Sequence, residues 1–119
     1  MSDNQLIKLS RQFAVDIIGL CETIRTRGKA NALINQLLRS GTSIGANIHE
    51  ANYASSKADF INKLQIALKE CYETDYWLSV FNEAEIVSKD EYDDAFLKCS
   101  KIRKLLIASV TTAKKNKDK

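Results

Sequence analysis

No proline occurs anywhere in the 119 residues, and glycine occurs only four times. Proline is the strongest helix breaker and a common loop residue, so a chain of this length without it is free to run as long helices. The apolar residues follow that freedom. Leu6, Leu9, Phe13, Ile17, Leu20 and Ile24 recur every three or four positions, which is one face of an amphipathic helix. This helix is predicted to stop near RTRGK, with Gly28 as its end signal. A second stripe is Leu33, Leu37, Gly41, Ile44, Ile48 and Ala51. Ser56 with Asp59, and later Ser88 with Glu91, have the serine-x-x-acid spacing of a capping box and mark two further helix starts. The third stripe is Phe60, Leu64, Ala67, Cys71, Thr74, Leu78 and Phe81; the fourth is Ala95, Cys99, Ile102, Leu106 and Ser109.

Four helices with short connections make the expected fold all-α, an antiparallel up-down-up-down four-helix bundle, because a short loop forces neighbouring helices to be antiparallel. One domain over residues 1–119 is expected, with a short basic C-terminal tail from about residue 114. No apolar run approaches the ~20 residues of a membrane span, and the N-terminus lacks the order of a signal peptide. The chain is therefore expected to be cytoplasmic, with no membrane partner.

The stretch LLRSGTSIGANIHEA, residues 37–51, needs its own account. Its glycines are four apart, no lysine follows them and no strand precedes them, so neither a Walker loop nor a dinucleotide loop fits. Within a helix each glycine is less favourable than alanine by ~1 kcal/mol, which close approach of a neighbour would offset. A turn near residue 28 sets Phe13 level with Gly41 to Gly45, and a ring seated on the glycines is the expectation. A break of the helix at SGTSIG is the alternative.

The polar residues of the same stretch are in register too. Arg39, Ser43, Asn47 and Glu50 are spaced four, four and three, so they form one stripe. A turn near residue 55 brings Arg39 level with Tyr72, within reach of Glu70 and Glu73 on the third helix. Solvated ion pairs are the bland reading; a partly buried polar seam with a structural role is the sharper one.

Catalytic and metal chemistries find little footing. The only histidine is His49, with no glutamate three residues before it, so a di-iron bundle is excluded. Ser43 and His49 lie six apart and point to different sides of one helix, which leaves no nucleophile with its base. Asp90, Glu91, Asp93 and Asp94 lack the glycine and spacing of a calcium loop and suit a helix N-terminus. Cys21, Cys71 and Cys99 are far apart and fall in apolar stripes, as inert buried thiols do. No catalytic residue, cofactor or metal is expected, with an unrecognised enzyme activity as the minor alternative.

Three stretches, RQFAVDIIGLCETI, QLLRSGTSIGANIHEA and DFINKLQIALKECYETDYWL, together resemble the bacterial four-helix-bundle proteins encoded within intervening sequences of 23S ribosomal RNA. The resemblance covers residues 11 to 80. Arg39, Ser40, Ser43, Asn47, Glu50, Ala51, Phe60, Glu70, Glu73 and Trp77 match positions recurrent in that family. It implies one four-helix bundle assembling into a ring-shaped homopentamer. The chain is also similar to the accessory protein of diversity-generating retroelements, a pentamer that binds nucleic acid and a reverse transcriptase.

Charge supplies a functional lead of its own. Residues 70–94 carry nine acids against Lys89, a net of −8, while residues 98–119 carry eight basic residues against Asp118, a net of +7. At the acidic end the RTRGK turn can bring Arg25, Arg27 and Lys29 beside the acids. At the other end Lys8, Arg11 and Lys57 join the lysines of the fourth helix. Lys98, Lys101, Arg103, Lys104, Lys114 and Lys115 are the candidate nucleic-acid contacts, RNA favoured over DNA, since a repeated basic surface suits phosphate backbones. Aromatic residues are not interleaved with these, which gives base stacking no support. A structural or adaptor ring with a protein partner is the alternative.

Overall fold

The structure, a computed structural model, describes residues 2–116. The described residues form four helices: α1 (Ser2–Thr26), α2 (Asn31–Ala51), α3 (Lys57–Glu83) and α4 (Lys89–Lys115). Their connections are four or five residues long, so each helix runs antiparallel to the next. Each packs on its chain neighbours and α1 also meets α4, which makes a bundle of 52 × 22 × 19 Å. α2 and α3 share the most extensive contact, α1 and α4 the sparsest.

The local signals explain where the helices begin and end. Gly28 takes φ +69°, a left-handed conformation that favours glycine, and ends α1. The Ser56 hydroxyl accepts from the Asp59 N–H at 3.1 Å; Asp59 completes the cap one residue earlier than expected, accepting from the Ser55 N–H. At α4 the box is complete: Ser88 Oγ accepts from the Glu91 N–H at 3.1 Å, and Glu91 Oε1 accepts from the Ser88 N–H at 2.8 Å. Between α3 and α4 the buried pair Ile86 and Val87 tucks under the bundle, both N–H groups donating to the Phe81 carbonyl.

The four stripes meet in one core that includes Phe13, Ile17, Ile24, Leu37, Ile44, Leu78, Phe81, Ile102 and Leu106. Each such side chain stabilises the fold by roughly 1.5–3 kcal/mol. The polar residues among them, Ser10, Ser40 and Thr74, donate to carbonyls of their own helices.

Three expectations need correction, and the alternative of a break in α2 falls as well. Ile34 rather than Leu33 starts the buried face of α2, and Val110 rather than Ser109 ends that of α4. α2 is continuous through SGTSIG. Phe13 is not the residue against the glycines. A Cβ at Gly41 would lie 2.9 Å from Ile17 Cγ2, and one at Gly45 would lie 3.1 Å from the Ser10 carbonyl oxygen. The close approach is real, but its partners stand on either side of Phe13.

Candidate functional site

Arg39 reaches across from α2 to α3 as its level predicts. Its Nη1 donates to Glu70 Oε2 at 3.3 Å, and its Nη2 stands 2.5 Å from Glu73 Oε2. Trp77 Nε1 donates to the same Glu73 oxygen at 3.3 Å. The Arg39 guanidinium, helped by the Trp77 N–H, holds the Glu73 carboxyl below its ordinary value against the opposing effect of burial. Glu50 pairs with Lys63 at 3.0 Å, about three turns of α2 beyond Arg39. Ser43 and Asn47 bond inside α2 instead, Ser43 Oγ to the Arg39 carbonyl at 2.6 Å and Asn47 Nδ2 to the Ser43 carbonyl at 2.9 Å. The seam thus lies at the rim of the α2–α3 contact, with the Arg39 side chain 49% exposed. It fixes how two helices sit and presents no reactive group.

The six basic candidates divide by where they stand on α4. Lys98 turns toward α1, with Nζ 3.1 Å from Asp16 and 3.0 Å from Asp94. Those carboxylates raise its pKa, Asp94 most. Asp16 is held below its ordinary value; burial opposes its charge, but the bonds from Gln12 and Lys98 outweigh that. Arg103 turns the other way, toward α3. Its Nη2 donates to Ser100 Oγ at 3.1 Å, its Nε is 3.8 Å from Asp75, and its guanidinium lies 6.0 Å from the Tyr72 ring centre. Burial pushes the Asp75 carboxyl up, despite Cys99 and Arg103. Lys101, Lys104, Lys114 and Lys115 are exposed, and among the described residues none has a carboxylate within ion-pair distance. Lys8 and Arg11 are likewise exposed on α1. Lys57 Nζ, by contrast, is shielded from solvent.

At the opposite end Arg27 closes the bundle. Its guanidinium grips Glu91 at 2.9 and 2.7 Å and also donates to the Ile86 carbonyl at 2.8 Å. This bidentate pair is the largest of the effects that hold Glu91 down at about 2.

Groups with intrinsic reactivity are not assembled into a site. Ser43 donates its proton within α2, while His49 packs against Tyr53 with ring centres 5.4 Å apart. The three cysteines are buried and free. Burial pushes Cys21 up to about 11, and Cys71 together with burial pushes Cys99 up, so the Cys21 and Cys99 thiols stay protonated. Among the described residues no cluster of His, Cys, Asp or Glu could hold a metal ion, and no helix is long and apolar enough to cross a membrane.

The lateral pairs of Lys98 and Arg103 escape sequence reasoning because they depend on which helix lies on which side of α4. The spacing of Asp94 from Lys98, and of Glu73 from Trp77, was the available signal.

A family model described as 23S rRNA-intervening sequence protein matches residues 2–108. Among solved structures, a protein of unknown function from the S23 ribosomal protein family of Bacteroides thetaiotaomicron is 45% identical. The alignment covers 93% of this chain and 99% of that one, with a TM-score of 0.91. None of the curated proteins matches.

Proposed function

The chain belongs to the 23S rRNA-intervening sequence protein family, and with that membership as premise we propose that it catalyses no reaction and works in the cytoplasm as an oligomer that binds nucleic acid, RNA ahead of DNA. The observation that carries this reading is the uncompensated charge of Lys101, Lys104, Lys114 and Lys115 along the exposed side of α4. Lys98 and Arg103 are tied to carboxylates and contribute less. The assembly is a homo-oligomer, and the family resemblance implies five subunits. Repetition of the basic side then adds weak contacts through multivalency.

The test is a fluorescence titration of labelled structured RNA and DNA over a series of salt concentrations. Log affinity is expected to fall linearly with log salt, by ~0.7–0.9 for each phosphate neutralised. Lys101→Glu with Lys104→Glu should weaken binding to every sequence alike. Absence of binding at low salt, with the assembly intact, would transfer the reading to a structural or adaptor ring with a protein partner. The exposure of Tyr53 and Leu97 favours that second reading.

A further inference from the structure

Base stacking finds no support in the order of the residues, because no aromatic side chain is interleaved with the lysines of α4. The fold supplies across two helices what the order lacks. Tyr72 and Tyr76 are one turn apart on α3, 53% and 59% exposed, and so set two rings on one face about 6 Å apart along the axis. Each ring is held by a neighbour. The Arg103 guanidinium reaches from α4 over the Tyr72 ring, 6.0 Å from its centre, and is itself anchored on Ser100 and beside Asp75. The Tyr76 ring meets the half-buried Trp77 edge-on, with centres 5.0 Å apart and planes at 78°, and Trp77 in turn donates to Glu73. Rings that are exposed yet fixed have little rotational freedom left to lose when a partner lies on them. Cations border them. Lys69 stands one turn before Tyr72 on the same face of α3, and Lys104 follows Arg103 on α4; both are exposed, with no carboxylate within ion-pair distance among the described residues. The acids closest to the tyrosines in sequence are occupied, Glu70 and Glu73 by Arg39 and Asp75 by Arg103.

We propose that Tyr72 and Tyr76 form a stacking platform for unpaired bases of RNA, successive bases each lying on one ring while the flanking phosphates meet Lys69 and Lys104. This rests on the nucleic-acid reading above and goes beyond it by naming the form of nucleic acid and the residues that tell it from a duplex. A lysine surface alone meets single strand and duplex as lines of phosphate. A ring needs the face of a base, which a paired and stacked helix exposes only at its ends. Every base has such a face, so the platform prefers unpaired RNA without preferring a sequence. Arg103 acts here through Tyr72: it fixes the ring from one side and adds positive charge beside it, and the other side is left for the base.

The decisive experiment titrates the native chain against two RNAs with equal numbers of phosphates, a single strand carrying a fluorescent adenine analogue and a duplex. The single strand should bind more tightly, and its analogue should dim as it stacks. Tyr72→Ala and Tyr76→Ala should each weaken the single strand by roughly 5- to 150-fold and leave the duplex alone. The slope of log affinity against log salt should stay as it was, because no phosphate contact is lost. Tyr72→Phe and Tyr76→Phe keep the ring and should keep the affinity. Leucine replaces alanine at either site where the alanine variant fails to fold, since it retains apolar bulk without a π face. Equal affinity for the two RNAs, or alanine variants that weaken both alike, overturns the platform while the basic-surface reading stands. An alanine variant whose particle mass in sedimentation differs from the native one also overturns it, because the tyrosines then lie between chains. Absence of binding to either RNA at low salt is the failure of the basic-surface reading itself, and takes the platform with it.

Discussion

At Gly41 the room for a side chain is already taken. Ile17, fully buried in α1, stands where a Cβ would go, and at Gly45 the obstacle is the Ser10 backbone itself. Gly45→Leu is expected to overpack the α1–α2 contact and lower stability by ~1–3 kcal/mol, visible as a drop in Tm. Gly19 supplies the control. No atom lies near its missing Cβ, so Gly19→Ala should raise stability by up to ~1 kcal/mol through helix propensity alone. Arg39 makes a second case. It is half in water, so a double-mutant cycle with Glu73 should return a coupling of ~1 kcal/mol or less, well short of a buried pair. Both sites were legible in the sequence to a definite depth. Counting back from a turn gives the height of a residue along its neighbour, which is why Arg39 meets Glu70 and Glu73. Height does not give the angle around the helix axis. Phe13 has the right height for the glycines and the wrong angle, and Ile17 and Ser10 have both.

Helices were easier to read than their partners, because caps and periodicity are properties of one segment. Ser88 and Glu91 satisfy each other whatever else the chain does. The stripe ends slipped by one residue, from Leu33 to Ile34 and from Ser109 to Val110. A straight helix drifts relative to any fixed spacing of three and four, and the error accumulates toward its ends. The α4 start also gathers a pH dependence. Glu91 titrates at about 2 when folded, against an ordinary value of 4.5. A carboxyl held down in this way adds stability that is complete above pH 4.5 and is lost as the pH falls toward 2. Glu91→Gln should flatten the acid limb of a stability–pH curve in that window. Denaturant midpoints between pH 2 and pH 7 would measure it; an unchanged slope would mean that the Arg27 clamp contributes nothing to folding.

Across the whole molecule, segregated charge was visible in the sequence and its local use was not. The net +7 over residues 98–119 includes cations that hold helices together and cations that face water. Lys98 belongs to the first kind and Lys104 to the second. Lys98→Ala should therefore lower Tm and change RNA affinity little, whereas Lys104→Ala should do the reverse. Melting curves and salt titrations on the two variants would separate these roles.

The sparse α1–α4 contact predicts the order in which the chain folds. Every other helix pair is a hairpin of consecutive elements, with little loop entropy to overcome. Only α1 against α4 closes the chain on itself, across the 82 residues that separate Asp16 from Lys98. In a chain whose remaining contacts are local, that closure belongs after the rate-limiting step of folding. Removing the Lys98 ammonium should then steepen escape from the native state and leave the approach to it unchanged. On a stopped-flow chevron plot the unfolding arm alone would rise.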